Sequence, residues 1–167
     1  ELNEKFKFFK TKSNLLDLGA YPGSWSQVAS KIITKGKILS IDIKNMSPIK
    51  NVNFYKSDIF EKTTKDKIRD FFNGKLEVII SDMAADTTGN KSLDSIRTNQ
   101  LCLEILLLSP KVLVSNGVFV SKVFMGDDFE EIKKLAKTLF KDVKFFKPAS
   151  SRNESKETYI HCKILKT

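Results

Sequence analysis

Asp42, Asp58 and Asp82 each stand at or just after the end of a short apolar run, and Asp17 opens a turn built around two glycines. A carboxylate at such a place can accept hydrogen bonds from the hydroxyls and amino groups of a nucleoside. In the segment Asp17-Leu18-Gly19-Ala20-Tyr21-Pro22-Gly23, the glycines let the backbone come close to a ligand. The amides of a helix that follows can bind a carboxylate. Asp42 comes 19 residues after Gly23, a separation that suits ribose hydroxyls. Asp58 is placed to receive an adenine amino group, and Asp82 faces the middle of the same crevice. One such aspartate is commonly a turn or cap residue. Three in successive units point to a site.

Lys122 lies inside an apolar run at 118–124, where a lysine needs a partner or a route to solvent. If its strand adjoins the strand that ends at Asp82, the two side chains meet at the top of the sheet. An ordinary lysine is protonated at neutral pH, so one used as a base needs burial or a second cation. Glu157 opens the last predicted strand and can turn back toward Lys122. The loop before it carries Lys147, Ser150, Ser151 and Arg152, a basic, serine-bearing group that can contact phosphates. Most loops of this composition are simply solvated.

Several other chemistries are excluded or disfavoured. A dinucleotide fingerprint starting at Gly19 would need glycines at 21 and 24, which are Tyr21 and Ser24, and that argues against NAD. Cys102 and Cys162 lack metal-ligand spacing and form no disulfide framework; both read as buried thiols of a reducing compartment. No metal site is expected. His161, the lone histidine, reads as a satisfied structural residue. Met83 and Met125 flank the site as packing that also touches the ligand.

The scaffold that must hold these residues alternates strands and helices. Apolar runs predict strands at 14–18, 37–43, 52–55, 76–82, 117–123, 143–147 and 158–164. Helices are expected from a Ser24 cap to about 34, over 62–72, from about 92 to 108 with a break or kink near Pro110, and over 128–140. On the first of these, Trp25, Val28, Ala29 and Ile32 form the apolar face. The pattern implies an α/β fold with a mostly parallel sheet, helices on both faces and ligands beyond the carboxyl ends of the strands. No repeat or linker interrupts residues 1–167, so one domain is expected.

Of the 167 residues, 29 are Lys or Arg and 20 are Asp or Glu, a net charge of +9. With 41% apolar and 29% charged residues, the chain fits neither a disordered nor a membrane class. The charge is uneven. Residues 1–76 carry 15 basic and 8 acidic side chains, residues 77–131 carry 4 and 9, and residues 132–167 carry 10 and 3. Two basic flanks thus enclose an acidic middle, which favours an anionic partner. Residues 1–12 are charged, with no signal-peptide core.

Six segments in order tie these features together: D-L-G-A-Y-P-G-S-W-S-Q (17–27), I-D-I (41–43), S-D-I-F (57–60), S-D-M-A (81–84), S-K-V-F-M-G (121–126) and K-P-A-S-S-R-N-E-S-K-E-T-Y (147–159). On them the chain resembles the FtsJ/RrmJ-type ribose 2′-O-methyltransferases. The resemblance implies a Rossmann-like, seven-stranded methyltransferase sheet with an antiparallel last strand. It implies S-adenosylmethionine as cofactor, held by Asp17, Gly19, Ala20, Pro22, Gly23, Ser24, Trp25, Asp42, Ile43, Asp58, Ile59 and Asp82. Lys122, Asp82 and Glu157 match three members of the family's Lys-Asp-Lys-Glu catalytic set.

The implied reaction is methylation of a ribose 2′-hydroxyl in RNA, foremost a uridine of large-subunit rRNA, with Lys147, Ser150, Ser151 and Arg152 as RNA contacts. A tRNA anticodon loop, an mRNA cap, or a cofactor-binding ribosome assembly factor without turnover are the alternatives. A monomer without membrane contact is expected, in the cytoplasm or in an rRNA-containing organelle such as the mitochondrion. The family pattern is broken at two places. Ala85-Asp86 stand where the family has Pro-Asn, on the target-nucleotide side. The family's first catalytic lysine aligns about three residues before Glu1, and Lys5 and Lys7 are out of register with it. A chain trimmed at its N-terminus, able to bind cofactor but methylating poorly, is the expectation.

Overall fold

Residues 1–126, 128–152 and 154–166 are described by a computed structural model. Leu15–Leu18 (β1), Ile38–Asp42 (β2), Asn53–Lys56 (β3), Leu76–Ser81 (β4), Leu113–Phe124 (β5), Phe140–Phe146 (β6) and Glu157–Leu165 (β7) form one seven-stranded sheet. Its order is β3-β2-β1-β4-β5-β7-β6, with β7 antiparallel to both of its neighbours and every other pair parallel. The chain winds outward from β1 to β3, then returns to lay β4 on the other side of β1. A crevice opens at that reversal, beyond the carboxyl ends of the strands.

Period-two alternation sorts the side chains to two cores. Leu16, Leu18, Leu39, Ile41 and Ile79 pack under Lys62–Phe72 (α3), Lys91–Val112 (α4) and Phe129–Leu139 (α5). Leu15, Ile38, Val78 and Ile80 face the other way, toward Leu2–Phe6 (α1) and Ser24–Ile32 (α2). Strand β1 is therefore buried throughout, as a central parallel strand should be.

Four sequence expectations need correction. Gly23, not Ser24, is the N-cap of α2, and Ser24 is its first helical residue. Val28 is half exposed, because the buried stripe runs through Ser26, Ala29 and Ile33. Pro110 neither breaks nor ends α4, which continues to Val112. A proline there deprives the carbonyl of Leu106 of its amide donor, and the Ser109 hydroxyl replaces it at 2.7 Å. Strand β5 begins at Leu113, and a register shift opposite Leu76 to Val78 absorbs the extra residues.

Helix α1 has no counterpart in the sequence reading. It lays Phe6 flat on His161, with ring centroids 4.1 Å apart and an interplanar angle of 8°. His161 is buried, and neither ring nitrogen has a hydrogen-bond partner among the described residues, so it is structural but not satisfied. Burial lowers its pKa to about 4. Cys102 and Cys162 are buried free thiols, and burial pushes Cys102 up to about 12. No helix among the described residues is long and apolar enough to cross a membrane.

Candidate active site

The turn after β1 is shaped by close approach. Gly19 has φ of +72°, and a Cβ placed there would lie 2.3 Å from Met83 Cγ and 3.0 Å from Met83 Cα. Only glycine lets the β1 turn and the chain leaving β4 come this near. The amides of Gly19 and Ala20 donate to the carbonyl of Ile41, fastening the turn to β2. The Asp42 carboxylate, at the end of β2, accepts from the backbone N–H of Tyr21 at 2.9 Å and of Lys44 at 2.8 Å. Asp58 Oδ1 accepts from the N–H of Phe60 at 2.9 Å.

Beside this turn lies a cavity of about 860 Å³, within the size range of small-molecule sites. Gly19, Asp42, Ile43, Asp58, Ile59 and Asp82 of the predicted set stand on its wall. Ala20, Pro22, Gly23, Ser24, Trp25 and Asp17 lie off it. Trp25 packs on Tyr159 instead, with ring centroids 5.8 Å apart. Five acids and three bases face the cavity: Asp42, Asp58, Asp82, Asp86 and Glu104 against Lys44, Lys65 and Arg97. A local excess of two negative charges, in a protein of net +9, suits a cationic ligand.

Asp17 shares the strand face of Leu15, so its side chain points to α2 rather than to the cavity. It accepts a 2.5 Å hydrogen bond from Ser26 Oγ, which also lies 2.7 Å from Ser40 Oγ. The carboxyl is 1% exposed. Burial raises its pKa to about 7, against the Ser26 hydrogen bond and with help from the charges of Asp82 and Asp42.

Strand register assembles the second cluster. Ser81 pairs with Ser121, so Asp82 and Lys122 are the next residues on adjacent parallel strands. Across the antiparallel pair, Lys122 lies opposite Tyr159, and Phe124 opposite Glu157. Lys122 Nζ is 3.0 Å from Asp82 Oδ1 and 3.5 Å from Glu157 Oε2. The lysine side chain is 13% exposed, which gives the ion pairs a partly desolvated setting. Tyr159 donates from its hydroxyl to Asp82 Oδ1 at 2.7 Å. Burial raises the Tyr159 pKa, and Asp82 adds to the rise, so the phenol remains a donor.

Tyr159 escaped the sequence reading as a site residue. The available signal was its position two residues after Glu157, on the same strand face. The loop before Glu157 is tied at both ends. The Glu1 carboxylate accepts from the amides of Ala149 and Ser150, and Ser151 Oγ lies 3.5 Å from Glu157 Oε1. Lys147 Nζ donates to the Ser155 carbonyl, whereas the side chains of Ser150 and Arg152 are exposed. Asn153, part of the same segment, lies outside the described residues.

A sheet of this order with one antiparallel strand, opening on an acid-lined cavity beside an ion-paired lysine, defines a Rossmann-like methyltransferase. The FtsJ-like methyltransferase pattern matches residues 1–165, and the chain belongs to that family. It is 49% identical over 166 residues to ribosomal RNA large subunit methyltransferase E of Pelagibacter ubique, across 99% of this chain and 82% of that one. The protein of the same name from Rickettsia akari is 45% identical, across 96% and 73%. A putative ribosomal RNA methyltransferase from Plasmodium falciparum superposes with a TM-score of 0.86 at 32% identity, across 98% and 92%. S-adenosylmethionine is the methyl donor, and the residues fit it: the acid-rich wall suits a ligand that carries a sulfonium and an ammonium group.

Proposed function

We propose that the protein methylates the 2′-hydroxyl of a ribose in RNA, a uridine of the large-subunit rRNA. The observation that carries the reading is the placement of Lys122 between Asp82 and Glu157 at the edge of the acid-lined cavity. Support for the substrate comes from relatives named for large-subunit rRNA.

The bound donor supplies an activated methyl on a sulfonium, so the chain need only align the hydroxyl and remove its proton. Lys122 holds the ribose oxygen in line and assists loss of its proton toward the two carboxylates. Asp82 is fixed by two contacts on Oδ1, from Lys122 and Tyr159, and lines the cavity, where its charge would complement the positive charge of a bound donor. Glu157 restrains the lysine from the other side. Asp42 would take the ribose hydroxyls of the donor and Asp58 its adenine amino group, with Ile43 and Ile59 supplying apolar wall beside them. The exposed Ser150 and Arg152, with Lys147 and Ser151, hold phosphates of the RNA near Glu157.

The enzyme is read as a monomer, which sedimentation checks. Substrate choice is tested by offering the full-length protein large-subunit particles, transfer RNA and capped messenger RNA with labelled donor. Label in a ribose of the large-subunit RNA is expected. Label confined to transfer RNA or to the cap would reassign the substrate, and donor binding without transfer to any RNA would favour an assembly factor.

A further inference from the structure

Tyr21 has no part in the chemistry described so far, yet its ring stands on the wall of the donor cavity and is 50% exposed. An aromatic ring left half in water at a cavity rim gains burial when a ligand fills the cavity. Its position is closely set. The amides of Gly19 and Ala20 fasten the turn to Ile41, and the Tyr21 amide donates to Asp42 Oδ2. The Lys44 amide donates to Asp42 Oδ1, so Tyr21 and Lys44 flank the one carboxylate at the end of β2. The Lys44 ammonium lies 5.6 Å from the Tyr21 ring centroid, within cation–π range. The two residues whose amides hold the carboxylate thus also pair through their side chains beside it.

We propose that Tyr21, backed by Lys44, covers the ribose of the methyl donor at Asp42 and thereby sets how long the donor and its demethylated product remain bound. The proposal rests on the assignment of Asp42 to the donor ribose. The ribose is common to S-adenosylmethionine and S-adenosylhomocysteine, whereas the reacting methyl is not. A cover over the shared part acts equally on both, through dissociation.

Titration calorimetry and stopped-flow dissociation with each ligand test this on the wild-type protein and on Tyr21→Ala, Tyr21→Phe and Lys44→Ala. Tyr21→Ala is expected to weaken both ligands by about tenfold, equivalent to about 1.4 kcal/mol, by the same factor and through faster dissociation. Tyr21→Phe, which keeps the ring, restores most of the affinity, and Lys44→Ala gives a smaller loss of about threefold, since exposed cation–π contacts are weak. Thermal unfolding of the ligand-free variants stays near the wild-type value, because a half-exposed ring contributes little to the core. Unchanged dissociation from the Tyr21→Ala variant would overturn the proposal, as would weakening of S-adenosylmethionine alone. Failure of the wild-type protein to bind either ligand would instead overturn the donor assignment, and the proposal with it.

Discussion

Asp17 and His161 make the pH dependence of stability a sharp test of the packing. Asp17 is buried against Ser26, and its pKa rises from 3.8 to about 7. The folded protein keeps a proton that the unfolded chain has already released, so stability falls as pH rises from about 4 to about 7 and is level above that. At about 1.4 kcal/mol per pH unit, the full interval is worth about 4 kcal/mol. His161, stacked under Phe6, is shifted the other way, from 6.5 to about 4. There the unfolded chain binds the proton, so stability rises between about pH 4 and 6.5, by about 3 kcal/mol. The two slopes oppose each other below about pH 6.5 and hide one another in the wild-type protein. Substitution unmasks them. Urea unfolding of Asp17→Asn, compared with wild type from about pH 4.5 to 7.5, should show the variant gaining relative stability by several kcal/mol as pH rises. His161→Phe should lose relative stability over the lower part of that range. A difference between Asp17→Asn and wild type that does not change with pH would mean that Asp17 titrates alike in the folded and unfolded states.

Tyr159→Phe removes the hydroxyl that holds Asp82 Oδ1 at 2.7 Å. Hydrogen bonds to charged groups contribute about 1.5–3 kcal/mol, so turnover should fall by roughly tenfold or more while donor affinity changes little, read by steady-state kinetics against calorimetry. RNA affinity should fall steeply with salt, and Arg152→Ala or Lys147→Ala should each lower the slope of log K against log salt by about 0.7 on single-stranded RNA. Filter binding across a salt series measures it, and an unchanged slope would remove that residue from the interface.

Much of the architecture was legible because it depends on local pattern. All seven strands fall where apolar runs end in acids or turns, and α3 spans Lys62–Phe72 as read, since Asn73 and Gly74 stop it. The strand-end acids Asp42, Asp58 and Asp82 do reach one cavity. What the sequence concealed depends on distant partners. Ser26 reads as a polar, outward position until Asp17 and Ser40 are brought beneath it, and the misassigned face of Val28 follows from that. Asp17 reads as a ligand residue because its place in the turn is visible and its strand face is not. Pro110 reads as a break or kink because the compensating Ser109 hydroxyl is a matter of geometry. Tyr159 becomes a partner of Asp82 only through the β5–β7 register, and a helix of five residues such as α1 is too short to show a period.

The role proposed for Lys122, held by Asp82 and Glu157, is to serve transfer of a methyl to a ribose hydroxyl of large-subunit RNA. The most direct test is mass spectrometry of 2′-O-methyluridine in large-subunit RNA after incubation with full-length wild-type protein and with Lys122→Ala. The wild-type protein is expected to modify one uridine, and the variant to do so at least about a hundredfold more slowly, the usual contribution of a positioned acid–base group, with donor binding retained. Undiminished methylation by the Lys122→Ala variant would remove Lys122 from the reaction.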